Sequence, residues 1–205
     1  MAGLSKIIND AHATDATTSP YKKLIEELGK SGRDTSNLED VLTYIRSMKE
    51  VSTGGGIVRG FTENELDDLE TEICNTIANA VTKDLPDGDN SYRRLARWVN
   101  SIDRAVPVEV FTTNYDLLLE QALEEQSVPF FDGFSGSRYP FFDIHSVEEN
   151  ELPSYWTRLW KRHGSVNWKT MSGGVCRVSK GIAGPPELIY PSKLKYDQSR
   201  KMPFL

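Results

Sequence analysis

The sequence predicts an α/β fold, a Rossmann-like parallel sheet with a helical insertion. Amphipathic patterns with helix-start signals fill residues 20–100, whereas short β-rich segments alternate with turns and a helix in residues 106–205. We expect residues 1–205 to form a single domain, with a mostly helical part at 20–100 and an α/β part at 106–205.

Length and composition narrow the class of protein. The chain has 205 residues, enough for one sizeable core. Its 24 Lys and Arg residues against 30 Asp and Glu give a net charge of −6, and no basic run is present, so we do not expect a nucleic-acid surface. No stretch approaches the roughly 18 apolar residues of a membrane span. We therefore expect a cytoplasmic protein without membrane contact.

The cysteine pattern gives no sign of a metal site. Cys74 and Cys176 are far apart in the sequence, and neither belongs to a CxxC pair. Structural zinc sites need closely spaced cysteine and histidine ligands. We expect two reduced thiols and no zinc.

Three local signals mark helix starts in the first half: one proline at a first helical position and two capping boxes. The proline signal is Ser19-Pro20, and the capping boxes are Ser36 with Glu39 and Thr62 with Glu65. The first of these helices is expected to stop at Gly29. Gly54-Gly55-Gly56 follows a helix rather than a strand, so we interpret it as a connecting loop and not as a phosphate site.

The second half predicts strands. Val108–Thr112 is a β-rich run followed at once by a predicted helix from Asp116 to about Gln126, the strand-to-helix turn of a parallel sheet. The other predicted strands are Leu159–His163, Leu188–Tyr190 and a hairpin of Val166–Met171 with Val175–Val178.

Two polar segments follow predicted strands of this sheet. They are Thr112-Thr113-Asn114-Tyr115-Asp116 and His163-Gly164-Ser165. In open parallel sheets, ligands bind beyond the carboxyl ends of the strands. Asparagine orients a water or a ribose hydroxyl, aspartate accepts hydrogen bonds, histidine takes up a proton, and glycine allows close backbone approach. Such residues suit a sugar-phosphate ligand.

A structural interpretation of the same residues is the alternative. Asn114 and Asp116 also suit the cap of the following helix, and Thr112 and Thr113 suit a strand end. His163 on its own is compatible with a structural histidine, because spacing cannot reveal its partner. A serine-histidine-aspartate hydrolase is not favoured, since the sequence has no GxSxG motif.

The remaining histidines and a run of aromatic residues have no assigned chemistry. His12 and His145 lack a comparable context and are expected at the surface. Six aromatic residues form a predicted loop that either covers a ligand site, lies in a subunit interface, or packs on its own core. They are Phe130, Phe131, Phe134, Tyr139, Phe141 and Phe142.

Three ordered motifs resemble the sirtuins. VFTTNYDLLLEQAL resembles the TQNID segment, in the TTNYD form typical of bacterial sirtuin-like domains. LWKRHGSVNW resembles the catalytic-histidine segment of that group, commonly KLHGSINW, and ELIYPSKLKYDQSRKMPF resembles the element that follows. The resemblance spans about Asn37 to Leu205, with its sharp motifs in the second half.

The resemblance implies NAD as the substrate and assigns roles to motif residues. Asn114 and His163 are the implied catalytic residues: the asparagine contacts the nicotinamide-side ribose or positions a water, and the histidine is the general base. Asp116 faces the nicotinamide carboxamide. The other implied NAD-binding residues are Thr112, Thr113, Gly164 and Ser165, of which Thr113 stands where classical sirtuins have glutamine.

The sequence departs from classical sirtuins in three places. It has only Cys176 where they carry a four-cysteine zinc module, which lowers the expectation of deacylase activity. It has no GAGxS-type phosphate loop, and Ala2-Gly3-Leu4 resembles the stretch that follows that loop. The chain also stops soon after Tyr196. We therefore expect a domain that is incomplete at both ends.

The leading functional hypothesis is an NAD glycohydrolase of a bacterial anti-phage defence effector, acting as a homo-oligomer or with a partner defence protein. The resemblance alone implies this role. The alternative is a non-catalytic module that binds NAD or ADP-ribose, or a scaffold within a larger defence complex. Release of nicotinamide from NAD distinguishes the two hypotheses, because only the enzyme cleaves the bond that frees it.

Overall fold

The computed structural model describes residues 2–12, 19–149, 151–171, 174–178, 186 and 188–190. These residues fall into two compact units. Of the described residues, 2–12, 19–80 and 190 belong to the helical unit, and 81–149, 151–171, 174–178, 186, 188 and 189 belong to the α/β unit. The predicted strand from Leu188 begins inside the described part, but most of the third motif, from residue 191 on, lies outside it.

The helical unit is built on four helices: α1 (Ala2–His12), α2 (Pro20–Lys30), α3 (Leu38–Ser52) and α4 (Glu63–Val81). Their apolar residues recur at helical spacing and form a buried core. Its fully buried members include Leu24, Leu28, Leu42, Ile45, Leu66, Ile73 and Ile77. No helix among the described residues has the length and hydropathy needed to cross a bilayer.

Two of the three predicted helix starts are confirmed. Pro20 opens α2 directly after Ser19, and the helix runs to Lys30, one residue beyond the expected stop. At α4 the capping box is complete, because the backbone N–H and the hydroxyl of Thr62 both donate to Glu65 Oε2 at 2.8 Å. The N–H of Glu65 donates in return to Thr62 Oγ1.

The predicted capping box at Ser36 is wrong. Asn37 caps α3, with its Oδ1 accepting from the N–H of Glu39 at 3.0 Å. Ser36 instead donates its N–H and its hydroxyl to Asp34 Oδ1. The local Asp-Ser turn therefore uses the serine, and the helix begins one residue later.

The expectation of a surface position is wrong for His12. The residue is 8% exposed, its ring lies 5.0 Å from the Tyr21 ring, and its Nδ1 lies 3.2 Å from Glu72 Oε1. A single histidine at a helix end carries no sequence signal of such partners. His145 is exposed as expected.

A partly buried ion cluster joins α3 to α4. Glu70 accepts from Arg46 Nε at 2.7 Å and from Lys49 Nζ at 2.6 Å. Burial alone raises the pKa of Glu70, but the hydrogen bonds from Lys49 and Arg46 outweigh it and hold the pKa below its ordinary value. The ionised carboxylate therefore stabilises the fold.

Replacing Glu70 with glutamine should destabilise the protein by about 1–2 kcal/mol at neutral pH. A carboxyl pKa that is lowered by folding contributes stability above the unfolded value of about 4.3, and that contribution disappears as pH falls through the folded pKa. Urea unfolding should therefore separate the variant from the wild type at pH 7 and bring them together in acid. Glu50→Gln, at an exposed site on α3, is the control and should change little. An equal difference at both pH values would contradict the prediction.

The α/β unit contains two sheets. The elements are α5 (Ser91–Ser101), β1 (Val108–Thr112), α6 (Leu118–Glu125), β2 (Phe130–Phe131), β3 (Phe134–Ser135), β4 (Phe141–Phe142), α7 (Ile144–Glu149), β5 (Thr157–Lys161), β6 (Trp168–Met171) and β7 (Gly174–Arg177). One sheet is parallel, in the order β1-β5-β2, and the other is antiparallel, in the order β3-β4-β7-β6. The α/β fold class and the predicted β6–β7 hairpin are confirmed.

One face of the parallel sheet packs against α5 and α6. Leu159 of β5 is fully buried there, and Val110 of β1, its register partner, packs on the same core. The helices contribute Ala96, Val99, Leu119, Ala122 and Leu123. This packing fixes the orientation of β1 and β5, whose carboxyl ends carry the two polar segments.

Two predicted elements differ from the structure. The aromatic run is not one loop but forms β2, β3 and β4, with Phe131 and Phe134 buried and Phe141 exposed. The predicted strand Leu188–Tyr190 is reduced to one antiparallel bridge between Leu188 and Gly164.

Candidate functional site

The two polar segments emerge side by side from the parallel sheet. β1 and β5 pair in register up to Thr112 and Lys161, the last residue of each strand. One further backbone bond, from the N–H of Arg162 to the carbonyl of Thr112 at 2.9 Å, continues the ladder past the strand ends. Residues 113–116 and 162–165 therefore start from adjacent points on one edge of the sheet.

Direct contacts hold these segments together. The N–H of Val166 donates to the carbonyl of Tyr115 at 3.0 Å, and the rings of Tyr115 and His163 lie 6.4 Å apart. The Tyr115 hydroxyl donates to the carbonyl of Ile189 at 2.7 Å, while the N–H of Ile189 donates to the carbonyl of His163 at 2.9 Å. Tyr115, which the sequence did not single out, thus connects the TTNYD and HGS segments.

Asn114 is exposed at the end of β1. Its backbone N–H donates to Thr112 Oγ1 at 3.0 Å, so the threonine side chain shapes the turn. The Asn114 side-chain amide makes no hydrogen bond to another residue of the described ranges. Thr113 is exposed beside it. The asparagine amide is therefore available to a ligand, whereas Thr112 already serves the loop.

The side chain of Asp116 stabilises the start of α6. Its Oδ1 accepts from the N–H of Leu118 at 3.2 Å, which caps the start of α6. The carboxylate also acts on Tyr92, whose pKa is raised by burial and secondly by the negative charge of Asp116. Asp116 thus caps the helix, as one interpretation of the sequence had it. The other acceptor sites of its carboxylate can still contact a ligand.

The HGS segment is a tight turn. Gly164 is buried and has a φ of 83°, a left-handed conformation that favours glycine. Ser165 is fully buried, its hydroxyl lies 3.5 Å from the carbonyl of Tyr115, and its own carbonyl accepts from the N–H of Trp168. These two residues shape the loop, while His163 is half-buried next to them.

A buried ion pair lies beneath the two segments, and the sequence did not reveal it. Lys161 Nζ lies 2.7 Å from Glu120 Oε1, and both side chains are almost fully buried. The same ammonium group donates to the carbonyls of Asp116 and Tyr115. Burial raises the pKa of Glu120, and the charge of Lys161 only partly opposes that rise.

A cavity of about 290 Å³ lies next to the carboxyl end of β5. Four aromatic side chains and three charged residues contribute to its wall, together with one valine. They are Phe111, Phe142, Trp160, Trp168, Asp132, Lys161, Arg162 and Val147. Asn114 and His163 do not line it, so it adjoins the candidate site without containing its predicted catalytic residues.

The described residues contain no group of three or more His, Cys, Asp or Glu side chains placed to hold a metal ion. Cys74 and Cys176 are both free thiols, and burial, followed by the charge of Glu70, raises the pKa of Cys74 to about 12. At the candidate site, Asn114 has an amide, His163 an imidazole, Asp116 a carboxylate and Thr113 a hydroxyl.

Comparison with known proteins gives one family match, over the second half of the chain. No curated protein matches the chain. Residues 108–199 match the family model described as the SIR2-like domain. The matched segment starts at the first residue of β1 and includes both polar segments and the β6–β7 hairpin. Residues 108–199 are therefore similar to a SIR2-like domain, which agrees with the sirtuin-like resemblance of the motifs.

Proposed function

We propose that this protein is an NAD glycohydrolase that converts NAD and water to ADP-ribose and nicotinamide. The observation that supports the proposal is the side-by-side arrangement of the two polar segments at adjacent parallel strand ends. Asn114 is exposed there, and His163 is half-buried beside Tyr115. The SIR2-like family match adds the link to NAD.

Hydrolysis breaks the bond between the nicotinamide nitrogen and ribose C1′. The bonding electrons go to the nicotinamide ring, which loses its positive charge, and a positively charged oxocarbenium-like sugar develops. A water oxygen then bonds to C1′, and His163 takes the proton that this water loses. Asn114 holds that water or a ribose hydroxyl in line, which lowers the entropic cost of the reaction.

The other motif residues divide between shaping the site and binding. Asp116 accepts a hydrogen bond from the nicotinamide carboxamide through the oxygen that does not cap α6. Gly164 lets the backbone approach the substrate, and Ser165 and Thr112 hold the two loops. Thr113, exposed beside Asn114, contributes a hydroxyl at the ribose side.

The biological setting belongs to the same proposal. By its sirtuin-like motifs we assign the protein to bacterial anti-phage defence, in which cleavage depletes the NAD pool. Such an effector acts in the cytoplasm, as a homo-oligomer or with a partner defence protein. The supporting observation is the TTNYD and HGSxNW pair, which typifies the bacterial, zinc-less group.

A second candidate is a module that binds NAD or ADP-ribose without cleaving it. Two motif side chains already make hydrogen bonds that stabilise the fold, and this favours the second candidate. Asp116 caps α6 and Thr112 holds the turn, so both residues have a reason to be present without catalysis. This candidate predicts saturable binding and no nicotinamide release.

The deciding experiment measures nicotinamide and ADP-ribose by chromatography after the full-length protein is incubated with NAD. We expect the two products to appear in equal amounts, because one bond is broken in each turnover. A parallel calorimetric titration with ADP-ribose measures binding alone. Binding without product would overturn the enzyme proposal and favour the sensing module, and nicotinamide release only in the presence of an acylated peptide would indicate deacylation instead.

A further inference from the structure

We propose that Lys161 is a positioning residue for the NAD reaction: it holds the backbone of the Asn114 loop in place from below, and Glu120 holds Lys161. The inference rests on the proposed function and adds to it a residue pair outside the motif roles. In this role the lysine needs no contact with substrate. It acts through the carbonyls of the loop that carries the asparagine.

The contacts of the ammonium group carry the argument. Lys161 is the last residue of β5, and its Nζ donates to the carbonyl of Asp116, lies 3.4 Å from the carbonyl of Tyr115 and lies 2.7 Å from Glu120 Oε1. A protonated lysine has three N–H donors, so these three acceptors match its full capacity. Two of them are consecutive carbonyls directly after Asn114.

Burial shows that the arrangement is unusual for a lysine. The Lys161 side chain is 1% exposed and that of Glu120 is 10% exposed. Lysine is almost never fully buried unless it is paired, because removal of its charge from water is costly. Replacing such a pair with apolar residues of similar volume is often neutral or stabilising. Stability alone therefore does not explain the pair, and positioning of the loop does.

We call the Lys161–Glu120 pair, with its bonds to the carbonyls of Tyr115 and Asp116, the clamp. Its location connects it to both proposed catalytic residues. Lys161 is two residues before His163 in the chain, and its ammonium bonds the loop two residues after Asn114. Fixing both segments to one buried point sets the spacing between imidazole and amide. A displacement of about 1 Å in such a site can lower turnover by about 100-fold.

The test uses the double variant Lys161→Met and Glu120→Met in the full-length protein. The apolar pair removes both charges, so the variant should keep its fold, which the unfolding midpoint verifies. We expect kcat to fall by roughly 10- to 100-fold with little change in KM. We also expect amide hydrogen exchange to rise in residues 113–117 and to stay unchanged in the core strand around Leu159.

The matched control is the double variant Arg158→Met and Glu109→Met. This pair joins β5 to β1, at 2.8 Å, and Arg158 is similarly buried, but both residues lie three positions before the strand ends at Thr112 and Lys161. We expect its kcat and its exchange in residues 113–117 to match the wild type. A control with the same losses as the test variant would overturn the proposal.

The two readouts separate failure of this inference from failure of the proposed function. If the wild type cleaves NAD and the test variant either keeps its kcat or shows unchanged exchange, the positioning role is overturned. If the wild type releases no nicotinamide, the proposed function fails, and exchange alone decides whether Lys161 holds the loop. Faster exchange then supports the clamp, and unchanged exchange overturns it.

Discussion

His163→Ala should lower the rate of nicotinamide release by about 10²- to 10⁴-fold, the range that a positioned general base contributes. Asn114→Ala should lower it by roughly 100-fold, because the water or the ribose hydroxyl loses its orienting partner. Neither change should unfold the protein, since Asn114 is exposed and His163 is only half-buried. Initial rates of nicotinamide release, with NAD above KM, measure both effects.

The chain offers a matched control for each substitution. His145→Ala on α7 and Asn100→Ala on α5 remove the same side chains at exposed positions on elements outside both polar segments. Both controls should keep the wild-type rate. Activity that survives the Asn114 and His163 changes together would show that these residues do not have the proposed roles, even if the protein cleaves NAD.

Lys161→Met alone should destabilise the protein by about 3–5 kcal/mol, because it leaves the Glu120 carboxylate buried without its counter-charge. The methionine is close to the lysine stem in volume, so the cost comes from charge rather than from a cavity. Urea unfolding at pH 7 measures the loss, and the Lys161→Met, Glu120→Met double variant should recover most of it.

The same prediction has a pH signature. Burial already raises the folded pKa of Glu120 above its ordinary value, and removal of Lys161 should raise it further. A carboxyl whose pKa is raised by folding loses stability as pH rises from the unfolded value, about 4.3, through the folded value. The destabilisation by Lys161→Met should therefore shrink as pH falls from 7 and be smallest at about pH 4 and below, where the carboxyl is neutral in the folded protein. A loss that is equal at pH 4 and pH 7 would show that packing, not the unpaired charge, is responsible.

The sequence predicted correctly those elements whose start or end depends only on neighbouring residues. β1 occupies Val108–Thr112 as predicted, because a short β-rich run there ends at a clear turn. Thr62 with Glu65 caps α4 because both partners of a capping box lie within one helical turn. Leu188–Tyr190 has the composition of a strand, but a strand also needs a neighbour in register, and only Gly164 pairs with it among the described residues.

The motifs at the candidate site could be read from the sequence, but the groups that support them could not. Lys161 and Glu120 are 41 residues apart, and neither charge predicts burial by its type. The available signal was a charged residue within an apolar run, since Glu120 follows three leucines at the start of a helix. The predicted strand from Leu159 to His163 instead spans Thr157–Lys161, because the histidine belongs to the turn after the ladder.

The helical unit draws on two distant parts of the sequence, and this has a consequence for how the chain is made. Tyr190 is buried in that unit against the Cys74 thiol, yet the unit's first segment ends at residue 80, so the 109 residues 81–189 separate the two parts. At ribosomal speeds of about 5–20 residues per second, Tyr190 is synthesised on the order of ten seconds after the four helices. Until Tyr190 is made, the Cys74 thiol lacks this neighbour, and a ribosome paused within the α/β unit prolongs that interval.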